Sequence, residues 1–371
     1  MSNSKQFYYL QRTILIIALM LILFSDTADK GIFSFINQPQ SIFFYPQLVV
    51  ALMAVAGPNL LMMVLGAQQL QRPALTIPKL MQKLLWLIAG IVLFSVVYYG
   101  ETIILSHDQG FNVSGFFKDL VQAPVGFYDV LYEVLGFFVS LPVLRIIAKY
   151  ASEQIKRYLF WTELIFIGML PIITFFTGLT TIAVKPPLAV AAGCFFALMG
   201  YWLSKQVVLR QITREHLLVA WLLTFCCYAV MVSVTMYQVN LEQNVNLIMN
   251  QPFAQTLQAI PCMTLWVTVA TQIMNRKQLK PPHKHNWLQA SYGSLLVAGV
   301  LFTPLKLVTT WFISVVGIWW YSLALCAVVL LLSVGLVQLL RRLPVMQRLL
   351  PDLFGNPETV GVAHATANTM D

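Results

Sequence analysis

Charge is the first thing this chain lacks. Of its 371 residues only 10% are Asp, Glu, Lys or Arg, against about 25% in soluble domains, and 58% are apolar. So few charges cannot cover a water-soluble surface, so the composition specifies an integral membrane protein. No stretch is rich in Ser or Gly, which excludes flexible linkers and an inserted soluble domain. The five cysteines, Cys194, Cys226, Cys227, Cys262 and Cys326, show no C-x-x-C spacing and no nearby His. They therefore read as small core- or lipid-facing residues rather than metal ligands or a disulfide framework. Strict apolar–polar alternation is absent too. Runs such as 323–340 are apolar almost throughout, which excludes transmembrane barrel strands.

What is present is a series of long apolar runs. A spanning helix needs roughly 20 apolar residues, and spans are expected near 9–27, 42–66, 80–105, 124–146, 157–178, 187–205, 216–238, 254–274, 290–309 and 317–340. The expected fold is all-α, a bundle of about ten transmembrane helices, with residues 1–350 one membrane domain and 351–371 a polar, disordered cytoplasmic tail. The first span looks partly like a signal peptide, with Lys5 and Arg12 ahead of an apolar core, but no small-x-small pattern follows Phe24, so it reads as a retained span.

Acidic residues are scarce, 14 against 23 basic ones, giving a net charge of +9. The ten spans sort the basic residues sharply. Nineteen fall in alternate segments on one side, and only Lys30, Lys118, Lys185 and Lys306 fall on the other. Short cytoplasmic loops retain Lys and Arg, so both termini are expected in the cytoplasm. The positive balance thus reads as a topology signal and not as a nucleic-acid footprint.

Several short segments carry a family resemblance. Gly57-Pro58-Asn59-Leu60-Leu61-Met62-Met63-Val64-Leu65-Gly66-Ala67 opens a series continued by Tyr132-Glu133-Val134-Leu135-Gly136, Leu141-Pro142-Val143-Leu144-Arg145 and Gly200-Tyr201-Trp202-Leu203. Ser291-Tyr292-Gly293 and Leu340-Arg341-Arg342-Leu343-Pro344 complete it. In order and spacing these segments resemble the membrane acyltransferase type 3 family. The resemblance implies ten spans in a bacterial cell membrane and transfer of an acyl group from acyl-CoA to an envelope glycan or lipid-linked sugar. No metal is implied. It also implies a donor side built on Arg12, on Lys83 where the family has paired arginines, and on Arg145.

The departures bear on chemistry. The family places a His eleven residues after the first-span Arg, as the base acting on the acceptor hydroxyl, and here that position is Leu23. A later family His falls at Ala298 or Thr303, depending on whether Gly293 or Pro304 anchors the comparison. No His remains inside a span. A base must then be sought among the carboxylates, since ionisable residues in apolar spans are costly and usually face a polar interior. Asp129 and Glu133 are four apart and share a helix face; Asp26, at the end of the first span, and His107, near Glu101 and Asp108, complete the candidates. The pair His283 and His285 lacks further ligands and reads as part of a basic loop. Asn112-Val113-Ser114 has the glycosylation pattern, which matters only in a eukaryotic secretory setting.

Three functions remain open. The chain is an O-acyltransferase, or a catalytically silent scaffold of an envelope-polysaccharide system, or a transporter of a sugar or acyl group using Asp129 and Glu133 as proton sites. The bilayer is the one partner the sequence specifies; nucleic acid is excluded, and protein partners are not legible.

Overall fold

A computed structural model describes residues 2–26, 44–71, 76–106, 112–121, 128–163, 165, 192–205, 212–242, 257–274, 287–309, 318–340 and 342–343. Among these residues the regular structure is helical throughout, with no strand. In chain order the helices are α1 (Ser2–Asp26), α2 (Phe44–Ala54), α3 (Ala56–Gln69), α4 (Ile77–Ser106), α5 (Val113–Val121), α6 (Asp129–Tyr150), α7 (Glu153–Glu163), α8 (Ala192–Leu203), α9 (Arg214–Glu242), α10 (Ala259–Met274), α11 (Trp287–Thr309) and α12 (Ile318–Leu340).

Among the described residues six segments are long and apolar enough to cross a membrane: Gln6–Ser25, Leu48–Gln69, Ile77–Ile104, Asp129–Tyr150, Arg214–Tyr237 and Trp320–Leu340. Shorter apolar helices, Gly193–Leu203, Ala259–Met274 and Gly293–Thr309, fall on three further expected spans. Of the expected span 157–178, all but α7 and Ile165 lies outside the described residues, as does the tail 351–371. Burial separates two kinds of helix. The apolar window of Leu48–Gln69 is 72% buried, whereas that of Arg214–Tyr237 is only 22% buried. Leu218, Leu222 and Phe225 on α9 are exposed, as are Leu331 and Leu339 on α12. Contiguous apolar surface of this extent is not tolerated in water, and it is what a lipid-facing helix presents.

The chain divides into two compact units, one of residues 1–74 and 136–279, the other of 75–135 and 280–371. In the first, the most extensive packing joins α3 to α8. A Cβ placed on Gly66 would run into the backbone carbonyl of Ala197, and one on Gly200 into that of Met63. The two glycines thus let two backbones touch, the device by which small residues hold membrane helices together. Both belong to the segments that carry the family resemblance.

The expected span 42–66 is interrupted. α2 and α3 meet at Val55, whose φ of −60° and ψ of −18° remain helical, and three residues on Pro58 removes one backbone donor. Just before the break, Leu52 O takes a donor from outside its own helix. Gln258 Nε2 donates to Leu52 O at 2.5 Å and accepts from Tyr228 OH at 3.2 Å through Oε1. Around it Leu48, Leu52, Cys227 and Met231 form an apolar cluster. A second tie, Thr224 Oγ1 to Thr264 Oγ1 at 3.0 Å, joins α9 to α10.

In the second unit α11 packs against α12 and α4. α5 is a helix where the sequence reading placed a plain loop. Asn112 caps it, its Oδ1 accepting from Ser114 N–H at 3.1 Å.

Candidate functional site

In the second unit, acidic and phenolic side chains stand at the end of α4 and at the start of α6, linked through Tyr128. α4 supplies Tyr98 and Glu101, and the turn into α6 supplies Tyr128, followed by Asp129, Tyr132 and Glu133. Tyr128 is fully buried, and its hydroxyl donates to Leu296 O of α11 at 2.8 Å. Its ring lies where a Cβ on Gly299 would stand, so the absence of a side chain at 299 seats the tyrosine. Tyr98 and Glu101 are close enough to Tyr128 to interact with it electrostatically. Both carboxylate oxygens of Glu101 are shut off from solvent and meet no hydrogen-bond donor among the described residues.

Asp129 is exposed in the first turn of α6, where a carboxylate complements the helix dipole. Glu133 lies one turn further in, half-buried, on the face shared with Asp129 and within electrostatic reach of it. Tyr132 sits between them, and its hydroxyl donates to Leu120 O of α5. Two sets thus stand at the start of α6 and the end of α4: Asp129, Tyr132 and Glu133, and Tyr128 with Tyr98 and Glu101. Such a group can accept and pass protons and can hold a hydroxyl-bearing or cationic ligand. Ionisable residues kept inside a membrane segment at this cost are functional candidates by default.

The other candidates are placed elsewhere or not at all. Asp26 is the last residue of α1 in the first unit, its side chain outside the described ones, and His107 lies outside the described residues. Glu101, which the sequence reading treated only as a neighbour of His107, is the residue that the structure adds. Its signal was present, a lone carboxylate within the apolar run 80–105.

Of the basic residues expected on the donor side, Arg145 has a visible structural employment. Its Nε and Nη2 both donate to Gln69 O, at 3.1 and 2.9 Å. That carbonyl belongs to the last turn of α3, where a cation also meets the negative end of the helix dipole. Beside it, Gln68 Nε2 donates to Gln11 Oε1 at 2.8 Å, tying α3 to α1. Arg12 is half-buried on α1 within electrostatic range of Tyr8, and Lys83 is half-buried on α4 of the second unit.

The position of the family His is closed. Leu23 is fully buried, with Ile22 and Phe24 also buried, so residue 23 is part of an apolar core. Ala298, one of the two later positions, is fully buried beside Gly299, and Thr303 is half-buried. His216 serves its own helix: its backbone N–H donates to Thr213 Oγ1 at 3.3 Å while its Nδ1 accepts from Thr213 N–H at 3.2 Å, a reciprocal N-terminal cap for α9. Among the described residues no three His, Cys, Asp or Glu side chains come together as a metal-ligand set.

Compared with known proteins, the chain matches no family model, no curated protein and no solved structure.

Proposed function

We propose that the protein is a ten-span membrane protein of the acyltransferase type 3 kind, with both termini in the cytoplasm. It moves an acyl group from acyl-CoA to a hydroxyl of an envelope glycan or lipid-linked sugar. In this reading a carboxylate of the Glu101, Asp129 and Glu133 group replaces the family His as base. It takes the acceptor proton as the acceptor oxygen attacks the thioester carbonyl, and the departing thiolate regains a proton. The observation that carries the reading is the Asp129 and Glu133 pair beside Tyr132, in and next to the segment Tyr132-Glu133-Val134-Leu135-Gly136 that bears the resemblance. The backbone contact between the glycine segments at Gly66 and Gly200 supports a shared helical frame. General acid–base help is typically worth ~10²–10⁴-fold in rate.

The test is genetic and chemical. Deleting the protein should remove an acyl mark from the envelope, and Glu133→Gln or Glu101→Gln should reproduce that loss at normal protein levels. If deletion removes the mark while Glu101→Gln, Glu133→Gln, Asp129→Asn, Asp26→Asn and His107→Gln all leave it intact, the carboxylate chemistry is refuted. One observation favours a second reading, a silent scaffold with the same frame: the complete burial of Leu23 in apolar core. A scaffold would tolerate every one of those substitutions and fail only when helix packing fails.

A further inference from the structure

We infer that α5 is an interfacial helix whose outward apolar stripe, Val113, Phe117 and Val121, lies in the acyl-chain boundary of the lipid bilayer. The inference depends on the membrane character of the chain and not on acyl transfer.

The nine residues of α5 are amphipathic. At 3.6 residues per turn, Phe116, Leu120, Val113, Phe117 and Val121 share one continuous arc, Ser114 borders it next to Val121, and Gly115 and Lys118 lie on the opposite side. Half of the apolar arc faces protein. Phe116 is buried, edge-on to Tyr99 of α4 with ring centroids 5.5 Å apart. The other half does not: Val113, Phe117 and Val121 are 57%, 58% and 80% exposed.

Two tyrosines set the level of the helix. Tyr99 OH donates to Asn112 O at 3.2 Å where α5 starts, and Tyr132 OH donates to Leu120 O where it ends. Tyr99 lies five residues before Ile104, where the spanning segment of α4 ends, and Tyr132 three residues after Asp129, where that of α6 begins. At 1.5 Å per residue these offsets are roughly 7 and 5 Å. Both ends of α5 are therefore hung from points inside the spanning segments. That depth matches the ~5–10 Å at which interfacial amphipathic helices bury their apolar face. The outward stripe is continuous in character with the exposed Val96 and Val97 on α4, which only lipid can cover in a spanning helix. Exposed Lys118, on the polar arc in the last turn, is placed for lipid headgroups.

The experiment replaces Phe117 by the photoreactive residue benzoylphenylalanine in the full chain, reconstituted in phosphatidylcholine and phosphatidylglycerol vesicles. Replacements at Val97 and Lys118 serve as comparisons. Illumination followed by intact-mass measurement should show phospholipid adducts at 117 and 97, several-fold above the yield at 118. Adducts at 97 without adducts at 117 would overturn the inference while leaving the membrane reading standing; adducts at neither would overturn both. If the 117 variant does not fold, the same replacement at Val113 reads the same stripe, with the same outcomes deciding.

Discussion

Replacing Gly66 by Ala should damage the protein more than any other glycine replacement in an open helix position. The perturbation is one methyl group. On Gly66 it would sit against the carbonyl of Ala197, well inside the 3.4–4 Å of ordinary contact, and the obstacle is backbone rather than a side chain that can turn away. α3 and α8 would have to part by more than an ångström, and because Gly200 meets Met63 in the same way, both contacts would open together. Overpacking costs typically 1–3 kcal/mol, occasionally more. Parting the pair also weakens many atom contacts worth about 0.1–0.2 kcal/mol each. A loss of about 3 kcal/mol is the expected scale, larger for Gly66→Val. Gly136 and Gly335 supply the comparison, since a Cβ at either meets nothing within 4 Å. There an alanine gains up to about 1 kcal/mol of helix propensity. The assay is the melting midpoint of the purified protein in detergent, read by loss of the monodisperse peak after heating. Gly66→Ala and Gly200→Ala should fall by many degrees, while Gly136→Ala and Gly335→Ala should hold or rise. Equal midpoints for all four would refute the backbone contact.

Gln258→Leu should cost on the order of 1–3 kcal/mol and lower the same midpoint, because it leaves Leu52 O without its Gln258 donor; an unchanged midpoint would mean that the interrupted span needs no outside donor. Arg145→Gln should cost about 1.5–3 kcal/mol through loss of the charged bonds to Gln69 O, whereas unchanged stability with loss of the envelope mark would assign the arginine to the acyl donor instead. In the first turn of α7, Lys156 holds the Glu153 carboxyl below its ordinary range. Any stabilisation from a carboxyl so lowered is present above its unfolded pKa and fades as pH falls through the folded value. The Glu153 side chain is exposed, so Glu153→Gln should leave the melting midpoint at neutral pH unchanged, and a clear drop would give the pair a structural weight not expected of it.

The sequence carries most of the helical layout because lipid imposes it. A spanning segment must satisfy its own backbone and stay apolar for its full length, and runs such as 80–105 and 317–340 announce α4 and α12 within a few residues. What escaped depends on tertiary contacts. α5 is nine residues long with an Asn and a Ser at its start, composition that fits a loop equally well, and its helical state rests on two tyrosines from other helices. The interruption at Val55 has no local breaker at that residue. Pro58 takes away the donor to Ala54 O, while Gln258, some two hundred residues away, is the donor that meets Leu52 O just before the break.

The candidate site divides in the same way. Asp129 and Glu133 were legible as a pair because four residues is one helical turn, and the structure keeps them on one face at different depths. Glu101 stood in the sequence as an isolated acid near a span end, a position usually read as marking the interface. Its role depends on Tyr128, which the chain places next to it through a fully buried ring seated on Gly299. Leu23 makes the complementary point. In the sequence it is one leucine among many, notable only against the family pattern. Its complete burial between Ile22 and Phe24 shows that the change is more than the loss of one imidazole, since the neighbourhood has closed into apolar core. Restoring His at 23 would bury an unpartnered polar group at a cost of several kcal/mol at most and about 1 kcal/mol at least. Leu23→His should therefore lower the melting midpoint without creating an acyl mark, and a His that restored marking with no loss of stability would show that a polar cavity still reaches residue 23.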